Sequence, residues 1–165
     1  MKDFKVTVPV KSCFLEELPP EDVCLVQAAK DVALEAYAPY SGFHVGAAIL
    51  LEGGTVVVGS NQENAAFGAG TCAERTACFY ASANYPGKAF RKIAIAAWTR
   101  AGKPEEASVE ECYQRKPISP CGVCRQALME YERRYGPIEV ILYGLDEVYV
   151  LPAIASLLPL TFIEF

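Results

Sequence analysis

The 165 residues, 52% hydrophobic and 21% charged, have the length and composition of one globular domain and exclude an intrinsically disordered chain. A net charge of −5, with no basic cluster larger than Glu132-Arg133-Arg134, argues against a nucleic-acid partner, because neutralising phosphates supplies most of that affinity. The uncharged runs 36–51 and 148–163 fall short of the ~18–20 apolar residues of a bilayer span and both contain proline, so no membrane partner is expected.

Lys2, Lys5 and Lys11 interrupt any apolar run at the N-terminus, so no secretory leader is expected and the chain reads as soluble and cytoplasmic. Residues 4–10, FKVTVPV, alternate with period two and predict a short edge strand, where Pro9 is tolerated. PPEDVCLVQAAKDVALEAY opens with prolines and acids, then places Val23, Val26, Ala29, Val32, Ala33 and Ala36 at helical spacing. HVGAAILLEGGTVVVGSN predicts two strands joined at Gly53-Gly54. A helix over GTCAERTACFY and a strand over KIAIAAWT follow.

Residues 101–117 are charged and aperiodic; they read as a surface excursion with no chemistry of its own, or as the carrier of a short helix. CGVCRQALMEYERRY predicts a helix ended by Gly136-Pro137. IEVILYG and EVYVL predict two short strands, with a last helical turn near 153–158. Strands alternating with helices predict an α/β domain in layers, one sheet covered on both faces.

The seven cysteines, an odd number without a leader, favour metal binding or catalysis over a disulfide frame. Cys121 and Cys124 in PCGVC are three apart at a predicted helix start, so their side chains share one face. Cys72 holds the same position before its own helix. Unpaired N–H groups and the positive end of the helix dipole favour thiolates at both places. Three thiolates suit Zn²⁺ and leave its fourth tetrahedral position open, as catalytic rather than structural zinc sites do. Cys78 lies nearly two turns beyond Cys72 on another face, and Cys13, Cys24 and Cys112 lack paired spacing. These four read as buried small hydrophobes or free thiols.

Glu74, on the same first turn as Cys72, is placed to move a proton for a metal-activated water. Arg75 beside it is placed to hydrogen-bond the ligand sulfurs and offset their charge. CxxC alone is a weak signal and fits a redox dithiol as well. Combined with a preceding proline, the CAE triplet and two helix starts, it meets the zinc-deaminase signature H-x-E…P-C-x-x-C in its all-cysteine form, a pattern given in general accounts of those enzymes.

The blocks APYSGFHVGAAIL, NQENAAFGAGTCAERTA and SPCGVCRQAL resemble the signature blocks of the cytidine deaminase family, in particular its small homotetrameric branch. LLPLTF near the end resembles that branch's C-terminal motif. The similarity runs from about 39 to 162, which leaves residues 1–20 as an N-terminal extension and 21–165 as a single deaminase domain. The resemblance implies a three-layer α/β/α sandwich around a mixed five-stranded sheet and one zinc per subunit, held by Cys72, Cys121 and Cys124. It implies that Glu74 is the general acid/base for hydrolytic deamination of cytidine and deoxycytidine, in pyrimidine salvage. Asn61 and Glu63 of NQEN would bind the ribose. Phe43 would pack on the pyrimidine, and the Ala73 N–H would hold the base carbonyl. Phe162 would reach a neighbour's active site in a homotetramer with shared sites.

Phe67 stands where tyrosine is common in the family. The intact NQEN block argues for a ribosyl substrate over the antibiotic substrates of the blasticidin deaminases. The blander readings are plain: Phe43 and Phe67 as core aromatics, Asn61 and Glu63 as a solvated turn, His44 as a strand residue rather than a ligand, Arg125 as charge balance or a solvent-facing helix residue. Deamination of a related aminopyrimidine nucleoside or antibiotic, deamination within a nucleic acid, a non-enzymatic zinc-braced interaction module closed by a fourth ligand, and a dithiol oxidoreductase using Cys121 and Cys124 are the alternatives.

Overall fold

A computed structural model describes residues 1–66 and 68–163. Phe67 therefore lies outside the described residues. The chain order is β1 (Lys11–Cys13), α1 (Pro20–Ala33), β2 (Phe43–Leu51), β3 (Val56–Ser60), α2 (Ala73–Asn84), β4 (Phe90–Thr99), α3 (Val109–Cys112), α4 (Gly122–Tyr135), β5 (Glu139–Tyr143) and β6 (Val148–Leu151). A 3-10 turn, Ile154–Leu157, follows β6 near the expected last helical turn.

The strands form one sheet in the order β1-β6-β5-β4-β2-β3. Among the described residues only strands β4 and β5 pair in parallel, and every other strand neighbour is antiparallel, so the sheet is mixed as expected. Among the described residues it has six strands rather than five because Lys11–Cys13 adds β1, paired antiparallel with β6. That strand sits at Lys11–Cys13 and not over residues 4–10, where Phe4, Val6, Val8 and Val10 are exposed. Alternation alone makes no strand; a partner with open backbone groups is needed, and the register Lys11↔Val150 through Cys13↔Val148 supplies one only there.

Alternating side chains build two cores, one on each face of the sheet. Ile93 and Ile95 of β4 and Val140 and Leu142 of β5 face α2 and α4. Ala94, Ala96, Trp98, Ile141 and Tyr143 from the same strands face α1 and α3. Full burial of each Ile or Leu contributes about 1.5–3 kcal/mol. Both faces are covered, so the central strands carry apolar residues at nearly every position, and the three-layer α/β/α arrangement follows.

Residues 101–117 are more than a surface excursion. Ser108 and Glu111 form a reciprocal cap on α3, and Cys112 and Tyr113 bury themselves against the α1 face. Glu110 reaches the buried Lys30 ammonium at 2.7 Å, and that ammonium lies over the Tyr113 and Tyr143 rings. An aperiodic stretch can still pack when only two or three of its residues turn inward.

Strand direction decides where the helices begin. Since β2 is antiparallel to both β3 and β4, those two run the same way and finish at one edge of the sheet. Ser60 ends opposite Gly46 and Thr99 opposite Phe43, both near the start of β2. The chain then turns back into α2 after β3 and α4 after β4, so both helix N-termini return to that edge.

Gly59 lets α2 settle on β3. A Cβ there would lie 2.5 Å from the Ala77 nitrogen and 2.9 Å from the Ala73 carbonyl oxygen, with only backbone to move aside. Gly59→Ala is expected to lower the unfolding free energy by about 1–3 kcal/mol through overpacking, read from urea denaturation. A wild-type midpoint would contradict this packing.

Candidate active site

Cys72 and Cys121 are the N-cap residues of α2 and α4, both in extended backbone conformation and neither engaged in a side-chain cap bond. Their side chains therefore lie beside first-turn N–H groups that have no acceptor within the helix. Cys124 is one turn into α4 on the same face. The Cys72 and Cys121 sulfurs are 3.9 Å apart, those of Cys121 and Cys124 are 3.4 Å apart, and all three lie within 4.8 Å of one another. Zinc–thiolate bonds of about 2.3 Å at tetrahedral angles place sulfurs about 3.8 Å apart, so one ion fits among these three. Among the described residues no fourth Cys, His, Asp or Glu joins the cluster.

The charges of this corner favour a cation. The Cys72 thiol is brought down to about 5, first by its hydrogen bond with Cys124, then by Arg75 and Cys121. The Cys124 thiol is pushed far up by the ionised Cys72 beside it and by burial. Thus one thiolate forms at its neighbour's expense until positive charge is added. Arg75 Nη2 points at the Cys72 sulfur from 3.8 Å, and its Nε is buried with no hydrogen-bond partner among the described residues.

Glu74 is 4% exposed, and burial raises its carboxyl above the usual range. Ala73 is fully buried as the first residue of α2, where its N–H has no intrahelical acceptor. Phe43, half-buried at the first position of β2, shares its face of the strand with Val45, which packs on the α2 and α4 side. His44 points the other way and stacks on Trp98, with centroids 4.0 Å apart, away from the sulfurs.

Glu63 and Asn61 are tied to this edge through backbone. Glu63 Oε2 accepts from the Tyr40 N–H at 2.8 Å and the Ser41 N–H at 3.2 Å. Hydrogen bonds from the Ser41 side chain and the Tyr40 backbone keep its carboxyl below the usual range. Asn61 accepts from the Val45 N–H at 2.7 Å and donates to the Phe43 carbonyl at 3.0 Å. Its amide thus keeps one N–H and one lone pair for anything else. Glu63 and Tyr40, with Asn64, Ala65, Gly68 and Gly70, line an open pocket of about 560 Å³. Gln62 exchanges two backbone hydrogen bonds with Thr71, both 2.9 Å, which fixes this pocket wall to the residue before Cys72.

Phe162 is 66% exposed and its carbonyl accepts from Gln126 Nε2 at 2.8 Å, on the flank of α4. For Arg125 the sequence allows either charge balance or solvent exposure. The side chain is half-buried and does not simply face solvent: its guanidinium donates to the carbonyls of Pro120 and Leu157. The Tyr40 and Ser41 N–H donors to Glu63 had no signal in sequence, since a loop's distant acceptor is set by the folded sheet.

Residues 20–136 match the family described as the cytidine and deoxycytidylate deaminase zinc-binding region. The chain is 37% identical to a cytidine deaminase of Sporosarcina psychrophila over 135 residues, 82% of this chain and 86% of that one. A crystal structure of cytidine deaminase from Burkholderia pseudomallei superposes with a TM-score of 0.67 at 40% identity, covering 84% of this chain and 97% of the other. The cytidine deaminase of Mycobacterium tuberculosis superposes with a TM-score of 0.61 at 29% identity, covering 86% and 96%.

Cysteine environments divide by reactivity. Burial pushes the Cys78 thiol up to about 12, so at pH 8 only about one molecule in ten thousand carries its thiolate. In the metal-free protein, iodoacetamide should label the exposed Cys24 and Cys121 quickly and the buried Cys78 and Cys112 only after unfolding. Peptide mass spectrometry reads the order, and labelling of Cys78 as fast as Cys24 would contradict its burial.

Proposed function

The chain belongs to the zinc-binding cytidine and deoxycytidylate deaminase family, and from that premise we propose that it hydrolyses cytidine and deoxycytidine to uridine and deoxyuridine, releasing ammonia. The observation that carries this reading is the meeting of three cysteine sulfurs from two helix tips, with a buried glutamate in the same turn as one of them.

Cys72, Cys121 and Cys124 would hold the zinc, which when bound supplies a Lewis acid that makes a water molecule acidic enough to attack at neutral pH. Glu74 takes the proton this water loses and delivers it to N3 of the pyrimidine as the C–O bond forms at C4. It then relays the second proton from oxygen to the exocyclic nitrogen, so that the C4–N bond breaks and ammonia departs. Burial suits Glu74 to this work, because a carboxyl raised above its ordinary range is a better proton acceptor than an exposed one. Arg75 offsets the negative charge left on the sulfurs.

The Ala73 N–H is aligned with the positive end of α2 and receives the base carbonyl, while Phe43 packs on the ring. A carboxylate has lone pairs beyond those taken by Tyr40 and Ser41, so Glu63 can accept from ribose hydroxyls. Asn61 contributes its remaining N–H and, through Val45 and Phe43, holds the start of β2 in place. The three-sulfur set, with no fourth protein ligand among the described residues, favours a catalytic over a structural zinc.

Residues 21–165 form the deaminase domain, and four copies associate with Phe162 of one reaching the site of another. Support for assembly comes from the exposed Tyr37, Val56, Val58, Phe79 and Tyr80, a number of apolar side chains that a partner would cover. The setting is cytoplasmic pyrimidine salvage. No helix among the described residues is long and apolar enough to cross a membrane.

Purified zinc-loaded protein should release ammonia from cytidine and deoxycytidine but not from free cytosine or CMP; activity confined to the last two would overturn the roles of Asn61 and Glu63. Glu74→Gln should keep its zinc and fold while kcat falls about 100- to 10,000-fold, the range of a lost general acid/base. Light scattering should give the mass of four chains, and a stable monomer with full activity would remove Phe162 from the site.

A further inference from the structure

The chain beyond β6 is fastened largely by side chains of α4, the helix that presents Cys121 and Cys124. Glu132, 7% exposed, accepts the N–H groups of Ile138, Ile154 and Ala155 at 2.9, 2.7 and 2.9 Å. Two of those belong to the start of the 3-10 turn Ile154–Leu157, so a buried carboxylate caps it. Gln126 and Arg133 hold the carbonyls of Phe162 and Ile163 further along.

Arg125 differs from these three because it faces both ways. Its Nε donates to the Pro120 carbonyl at 2.7 Å and its Nη1 to the Leu157 carbonyl at 2.8 Å. Pro120 is buried, and its carbonyl belongs to the planar peptide that leads into Cys121. Fixing that oxygen fixes the plane from which the Cys121 side chain departs. Cys121 needs such a brace. It is exposed and makes no side-chain cap bond, and although its carbonyl accepts from the Arg125 N–H at 3.0 Å, that bond holds only the peptide on its helix side and leaves the peptide before it to be fixed from elsewhere. At the other end, Leu157 is the last residue of the turn that Glu132 caps.

We propose that Arg125 is a positioning residue of the metal centre and that, through it, the C-terminal segment and the zinc site form one mechanical unit. Its task is distinct from that of Arg75, which addresses the Cys72 sulfur directly. A planar guanidinium suits it because two donors diverge at a fixed angle, one for each carbonyl; a lysine has one nitrogen and cannot span them alike. Any loosening of the segment at Leu157 is then felt at Cys121.

This inference rests on the zinc reading above, and zinc release separates the two. Zinc-loaded full-length protein is mixed with excess chromophoric chelator, and the rate of metal transfer is followed. Arg125→Gln should release zinc about 10- to 100-fold faster, the range seen when a group supporting a metal ligand is lost. Arg125→Lys should release it faster than wild type despite keeping the charge, and it serves as the test should Arg125→Gln not fold. Glu132→Asp, which slackens the cap on the turn from the far side, should hasten release in the wild-type background and have little added effect beside Arg125→Gln. Wild-type release from either Arg125 variant, or an equal effect of Glu132→Asp in both backgrounds, would overturn the coupling. A wild-type protein that binds no zinc would overturn the zinc reading and this inference with it.

Discussion

Sulfur atoms held within 4.8 Å of one another repel as thiolates, and the fold keeps three of them there. Without added positive charge the group resolves the conflict internally: Cys72 ionises and Cys124 is driven the other way. A divalent cation removes the conflict, since all three can then be thiolates at once. The corner is therefore specified by charge as much as by shape. Two helix dipoles, the first-turn N–H groups and the Arg75 guanidinium all bias it towards an anionic ligand set.

The sheet explains why two helices deliver those sulfurs to one place. β3 and β4 end at the same edge because each is antiparallel to β2, and the helices after them start there. The same edge carries Phe43 at the first position of β2 and Asn61 just past β3, while Gln62 and Thr71 clip the Glu63 loop to the start of α2. The three sulfurs, Glu74 and the residues proposed to contact substrate thus come from separate parts of the chain but gather at one edge of one sheet. Gly59 removes the side chain that would lift α2 off this platform.

What the sequence disclosed was mostly local. Period and caps marked α1, α2 and α4, the Gly53-Gly54 pair marked the hairpin, and cysteines at two helix starts announced the metal corner. What it withheld depends on partners far along the chain. Residues 4–10 alternate like a strand, yet the open edge of β6 receives Lys11–Cys13. The 101–117 segment shows no period, but Cys112, Tyr113 and the Glu110–Lys30 pair pack it against α1. Asn61 is legible as a polar turn residue, whereas its two bonds to the β2 backbone exist only once the strands are in register. Arg125 is hidden for the same reason, since both carbonyls it holds are placed by tertiary structure.

Everything at this corner depends on the zinc and its open fourth position. Zinc K-edge X-ray absorption on the native protein measures that directly. The arrangement of Cys72, Cys121 and Cys124 predicts three sulfur neighbours at about 2.3 Å and one lighter neighbour for each zinc. Four sulfurs around the metal would mean a closed structural site and would contradict it.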